Sequence, residues 1–135
     1  MEDKITGACL CGKCTFTIEN TFTGFHLCHC QQCRKITGSA HAANLFTKPE
    51  ALQWTSGETS KKQFTTPGRN FTVVFCADCG SGLPFLTRNG KALIVPAGSL
   101  DSEPNIAPES NIFWAERAAW YDAGIPAKHC DGFAE

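Results

Sequence analysis

Nothing in these 135 residues approaches the ~18 consecutive apolar residues that a membrane-spanning helix needs. Charge of one sign is equally scarce: 12 Lys and Arg stand against 13 Asp and Glu, a formal net charge of -1. That balance supplies no electrostatic field for nucleic acid or for an anionic membrane surface. The opening MEDKITGACLCGKC has no apolar core of the kind a secretory signal carries, so a soluble cytoplasmic protein is expected. No linker, low-complexity tract or charge run divides the chain, which argues for a single domain over residues 1–135. Helix signals are few, and a composition 42% hydrophobic with ten phenylalanines excludes wholesale disorder.

What the chain has in unusual number is cysteine. Eight of its nine cysteines fall in three clusters: Cys9, Cys11 and Cys14 as C-x-C-x-x-C, Cys28, Cys30 and Cys33 with the same spacing, and Cys76 with Cys79 as C-x-x-C. Cys130 stands alone beside His129, with no partner spacing to make it a ligand. In a reducing compartment disulfides do not persist, and thiolates this close together converge on one soft cation. Zinc fits best, because no oxygen-ligand motif is nearby and no C-x2-C-x2-C-x3-C-P ferredoxin run occurs.

Patterning predicts a mainly β protein with metal in the loops at strand ends. Residues 13–19 alternate, with Cys14, Phe16 and Ile18 on one side and Lys13, Thr15, Thr17 and Glu19 on the other, as in a half-buried strand. Further strands are predicted over 42–46, 52–55, 62–65, 71–75, 84–87 and 92–96, separated by turn signals at Ser56-Gly57, Pro67-Gly68 and Asn89-Gly90. Asn89-Gly90 between two apolar runs reads as a hairpin. Two short helices are predicted, over 31–37 ended by Gly38 and over 115–122 ended by Gly124.

Eight clustered thiols admit two partitions. In one, two closed four-cysteine sites use them all and the chain is simply stapled. In the other, Cys14 belongs to the apolar face of its strand, where a free cysteine behaves as a small hydrophobe. Cys9, Cys11, Cys76 and Cys79 then close one structural site, and Cys28, Cys30 and Cys33 hold a second ion with one exchangeable corner, the catalytic pattern. Strand phase favours this second partition. It gives the metallated chain a charge of about −4, which disfavours nucleic acid further. Arg34 and Lys35, directly after Cys33, then either offset thiolate charge, receive carboxylates of an anionic substrate, or form a solvated pair at a helix end.

The ordered blocks Gly7-Ala8-Cys9-Leu10-Cys11-Gly12, Cys28-His29-Cys30-Gln31-Gln32-Cys33-Arg34-Lys35, Phe75-Cys76-Ala77-Asp78-Cys79-Gly80-Ser81 and Ala97-Gly98-Ser99-Leu100-Asp101 resemble the glutathione-dependent formaldehyde-activating enzyme family, which shares its domain with centromere protein V. The likeness spans about residues 5–115. It implies stacked antiparallel sheets, the β-tent, and two zinc ions per chain, the second held less tightly. It also implies Cys9, Cys11, Cys76 and Cys79 as structural ligands and Cys28, Cys30 and Cys33 as catalytic ones. Cys14 falls where the family often has an apolar residue. The implied activity joins glutathione to formaldehyde as S-(hydroxymethyl)glutathione, a carbon–sulfur lyase reaction in reverse.

The resemblance leaves several positions to be decided. Asn111 stands where many relatives have histidine in Pro-x-x-His-Ile. His29 alternates with the ligands, so its ring is expected to point away from them onto a backbone group. His41 is expected to begin a strand, and Asp78 to accept backbone N–H bonds inside its knuckle. Trp114, Trp120 and Tyr121 read as a flap over the core or as an aromatic wall for a substrate. The competing function is a non-catalytic, zinc-stabilised binding module with two structural zinc sites, for which the chain lacks a basic extension.

Overall fold

The computed structural model describes residues 3–134, folded as three sheets with two short helices. The first sheet holds β1 (Lys4–Ala8), β2 (Thr15–Glu19) and β5 (Leu52–Ser56) in the order β1-β2-β5, all antiparallel. In β2, Phe16 and Ile18 are buried as the alternation predicts, with Cys14 buried just ahead of the strand. β1 carries no comparable signal, because the inward position opposite Phe16 is Gly7. The glycine is required there: any Cβ would collide with the Phe16 ring.

The second sheet contains β3 (Gly24–Cys28), β4 (Ala42–Thr47), β9 (Phe85–Leu86), β10 (Leu93–Pro96) and β11 (Ser110–Ile112), ordered β11-β3-β4-β10-β9. β9 and β10 form the hairpin that Asn89-Gly90 predicts, with Leu93 opposite Leu86. β11 runs parallel to β3, placing Ile112 beside Cys28. The third sheet is β6 (Lys61–Thr65), β7 (Thr72–Cys76) and β8 (Gly82–Leu83), again antiparallel. The mainly β, stacked-sheet expectation therefore holds, with one parallel pair added. The main core lies between the first two sheets and gathers Ile5, Phe16, Ile18, Phe22, Phe25, Leu45, Leu93 and Val95. Trp54 meets Phe16 edge-on at 5.6 Å and closes one side of it.

Helix α1 spans Gln31–Thr37 as predicted, and Gly38 ends it in the left-handed region (φ 64°) with its N–H on the Arg34 carbonyl. The helix predicted over 115–122 is corrected. A single 3-10 turn covers Trp114–Glu116, the backbone then extends at Arg117 and Ala118, and α2 occupies Ala119–Gly124, with Gly124 inside the helix rather than after it. Side-chain bonds outweigh local propensity here. Arg117 forks onto Asp122 at 3.0–3.3 Å, donates to the Trp114 carbonyl at 3.1 Å and lies 4.3 Å over the Trp114 ring. Among the described residues, no helix is long and apolar enough to cross a membrane.

Candidate functional site

The thiols gather in two groups, each with its ligand atoms within 4.8 Å of one another: Cys9, Cys11, Cys76 and Cys79, and separately Cys28, Cys30 and Cys33. The first group joins the β1–β2 connection to the end of β7 and its turn. Cys9 Sγ lies 3.6 Å from Cys11 Sγ, which lies 3.8 Å from Cys76 Sγ. A tetrahedron with zinc–sulfur bonds of about 2.3 Å has edges of about 3.8 Å, so the set fits zinc. Hydrogen bonds support the sulfurs: Cys14 N–H donates to Cys9 Sγ at 3.3 Å, and the Ser81 hydroxyl lies 3.2 Å from Cys79 Sγ while its oxygen accepts from Leu10 N–H. With Ser81 and the Cys11 backbone donating to it, the Cys79 thiol is lowered to about 5.

The second group is local in sequence and wholly buried. Cys28 ends β3, Cys30 is the N-cap of α1, and Cys33 sits three residues into the helix, where its N–H donates to Cys30 Sγ at 3.3 Å. Phe71, Ala42 and Ile112 pack around the three sulfurs. Burial pushes the Cys28 and Cys33 thiols up, and the neighbouring sulfurs push Cys33 further. Three buried thiolates this close need a cation to share, and the all-sulfur donor set suits a soft ion such as zinc.

Cys14 joins neither group. It is fully buried beside Cys9, Val74, Cys76 and Leu83, and its Sγ donates to the Gly57 carbonyl at 3.4 Å. Burial raises its thiol to about 12, as expected of a cysteine packed as a hydrophobe. Cys14 is thus packed beside the four-thiol group rather than grouped with the three. Cys130 is exposed on the C-terminal segment.

A cleft of about 580 Å³ opens at the three-thiol group. Cys28, Cys30 and Cys33 line it with Gln32, Phe71, Phe85 and Phe113, and its charged side chains are Arg69, Arg88 and Glu116. Arg34 and Lys35 do not line it; the Arg34 guanidinium instead donates to the Glu116 carbonyl at 2.9 Å. Arg69 and Arg88 carry no motif, and the only hint of their place is the Pro67-Gly68 turn that returns the chain to Phe71.

The histidine expectations need revision. The His29 ring is fully buried, but its partner is a side chain: Nε2 lies 2.9 Å from Asn111 Oδ1. An amide oxygen only accepts, so Nε2 carries the proton. That leaves His29 Nδ1 without a hydrogen-bond partner among the described residues, and His41 Nδ1 likewise. The His29 ring meets His41, Trp114 and Tyr121 edge-on at 4.9–5.0 Å. Trp114 and Tyr121 therefore cover His29, whereas Trp120 is exposed. Asn111 holds this cluster through β11, which answers what the residue does in place of histidine. His41 lies one residue ahead of β4. Asp78 accepts the Lys13 ammonium at 2.7 Å, not backbone N–H groups.

A family model of the glutathione-dependent formaldehyde-activating enzyme matches residues 4–116. The chain belongs to that family. Among solved structures it is similar to a crystal structure of a Rhodobacter sphaeroides protein, with 21% identity and a TM-score of 0.61 over 79% of this chain and 98% of the other. That likeness concerns the fold alone. No curated protein matches the chain. The chain thus joins membership of the glutathione-dependent formaldehyde-activating family to two cysteine groups able to hold metal ions, a donor set consistent with zinc.

Proposed function

We propose that this chain is a cytoplasmic carbon–sulfur lyase-type enzyme that joins a small thiol such as glutathione to a small aldehyde such as formaldehyde, with zinc at both cysteine groups. The carrying observation is the contrast in ligand number: four sulfurs converge in one group, and only three in the group that opens into a cleft. Cys28, Cys30 and Cys33 would hold the zinc there, and the ion would lower the pKa of an incoming thiol and so favour its nucleophilic thiolate form.

The chain's own residues orient that chemistry. The Cys33 N–H fixes Cys30, and Phe71, Ala42 and Ile112 pack on the three sulfurs, Phe71 from the cleft itself. Arg34 and Lys35 lie in the last turn of α1, where cations suit the negative end of the helix dipole. In the reaction the thiol sulfur bonds to the carbonyl carbon, and the C=O π pair moves to oxygen. That oxygen takes up the proton the thiol released. The thioether product has lost the thiolate charge of the bound thiol, which would favour its release. Nine unpaired thiols suit a reducing cytoplasm.

Replacing zinc by cobalt and titrating with glutathione tests the reading. The thiolate-to-cobalt band is expected to shift, and to shift equally in Cys14→Val. The same protein should speed glutathione–formaldehyde exchange, followed by carbon-13 NMR, above the spontaneous rate, and Cys30→Ala should abolish that gain. An unresponsive band together with spontaneous exchange would return the protein to the class of zinc-stabilised binding modules.

A further inference from the structure

The cleft beside the three sulfurs contains two cations that no motif announces. Arg69 Nη1 donates to Gln32 Oε1 at 2.9 Å, and Gln32 lies on α1 between Cys30 and Cys33. Arg88 Nη1 donates to the Arg69 carbonyl at 2.7 Å. A run of contacts thus ties both guanidinium groups to the helix that carries two of the three thiols. Phe71, two residues after Arg69, packs directly on the sulfur group and anchors the loop from its other end.

Neither arginine forms an ion pair with a carboxylate among the described residues, although each has N–H groups beyond the one it spends. The cleft's one acid, Glu116, is already engaged: its Oε1 accepts the Gln31 N–H at 3.0 Å. A divalent ion with three thiolates is itself anionic and repels a further anion. Yet the same cleft presents two planar, permanently charged forks suited to carboxylates.

We infer that Arg69 and Arg88 form the acid-recognition end of the thiol site, so that this protein selects thiols bearing a carboxylate over neutral thiols of similar size. The inference rests on the thiol-binding reading above and specifies its substrate class. The sulfur goes to the three-cysteine end of the cleft and the carboxylate to the arginine end. Two-point holding of this kind fixes the rotation of the thiol before the aldehyde arrives.

The test compares glutathione with its diethyl ester, the same sulfur without the two carboxylates, on the cobalt-substituted protein at low salt. Wild type is expected to bind the acid about tenfold more tightly than the ester, as charge-assisted bonds at a partly exposed site allow. In the double variant Arg69→Ala/Arg88→Ala the ratio should fall to about one. In Arg69→Lys/Arg88→Lys it should stay between these values, because charge remains while the fork is lost. Both side chains are exposed, so circular dichroism and metal content should match wild type. A ratio near one in wild type, an unchanged ratio in the alanine variant, or equal ratios in the lysine and alanine variants would each overturn the assignment. If the acid and the ester both bind cobalt with no difference, only the arginine assignment falls. If neither moves the cobalt band, the thiol-binding reading falls and takes the assignment with it.

Discussion

The string C-x-C-x-x-C occurs twice in this chain, and its third cysteine meets two fates. After Cys11 the chain runs into strand β2, and Cys14, one residue ahead of it, is turned inward in phase with Phe16 and Ile18, its thiol donating to the Gly57 carbonyl. After Cys30 the chain enters helix α1. Three residues into a helix bring Cys33 back over its own cap, where its N–H reaches Cys30 Sγ. One spacing therefore gives a two-sulfur half-site completed from 65 residues away, and a compact three-sulfur site complete in itself. The first ties the β1–β2 connection to the end of β7, whereas the second lines one cleft with all three of its cysteines. Backbone geometry after the second cysteine decides which.

The largest effect expected from breaking this contrast is at Cys76. Cys76→Ala removes a fully buried thiol from the group that joins the first and third sheets. Because structural zinc contributes on the order of 10 kcal/mol to folding, the variant should lose metal and dispersed NMR signals together. Cys30→Ala should instead keep a folded domain with one zinc per chain, at the cost of about 1 kcal/mol for the lost helix cap. A folded Cys76→Ala protein retaining two ions, by metal analysis, would erase the distinction.

Acid separates the groups next. A proton must leave each sulfur before it can ligate, so acidification weakens both sites, and it does so from a higher pH where the thiols hold protons more tightly. Burial raises Cys28 and Cys33, while in the four-thiol group the shifts oppose one another: against the Lys13 backbone, the neighbouring sulfurs push Cys11 up to about 12, and Ser81 and the Cys11 backbone lower Cys79 to about 5. Thiol shifts do not rank the two sites, but ligand number does: the ion held by three cysteines rather than four should be released first as pH falls. A zinc-indicator titration of wild type should show two steps, and Cys30→Ala only the more acid one.

Smaller effects sharpen the comparison. Cys14→Val keeps volume and apolarity in the core, so two ions should remain and the melting temperature should move by no more than about 5 °C, as calorimetry would record. Loss of one ion would place Cys14 among the ligands after all. Lys13→Ala removes an exposed pair with Asp78 that spans the first and third cysteine segments. Surface pairs of this kind contribute little, and melting within about 2 °C of wild type is expected.

Much of the site is legible in the amino-acid sequence. The ligand groups follow from spacing and strand phase, because Phe16 and Ile18 mark which way Cys14 must face. Strands with their own apolar alternation, β4 to β7 and β10, are also legible. β1 is not, since Gly7 owes its place to the Phe16 ring across the strand pair. β11 is too short and polar to announce itself, and it exists because Ser110, Asn111 and Ile112 find ladder partners in β3. The partner of His29 lies 82 residues away, beyond any local pattern.

The order of residues by itself determined the cation-binding chemistry, the family and the inward face of the alternating strand β2, because these depend on neighbours within a few positions. Tertiary structure alone decided which arginines reach the cleft and how His29 is held. Each of those depends on contacts whose sequence separation is tens of residues, and only the closed fold brings such groups within hydrogen-bonding reach.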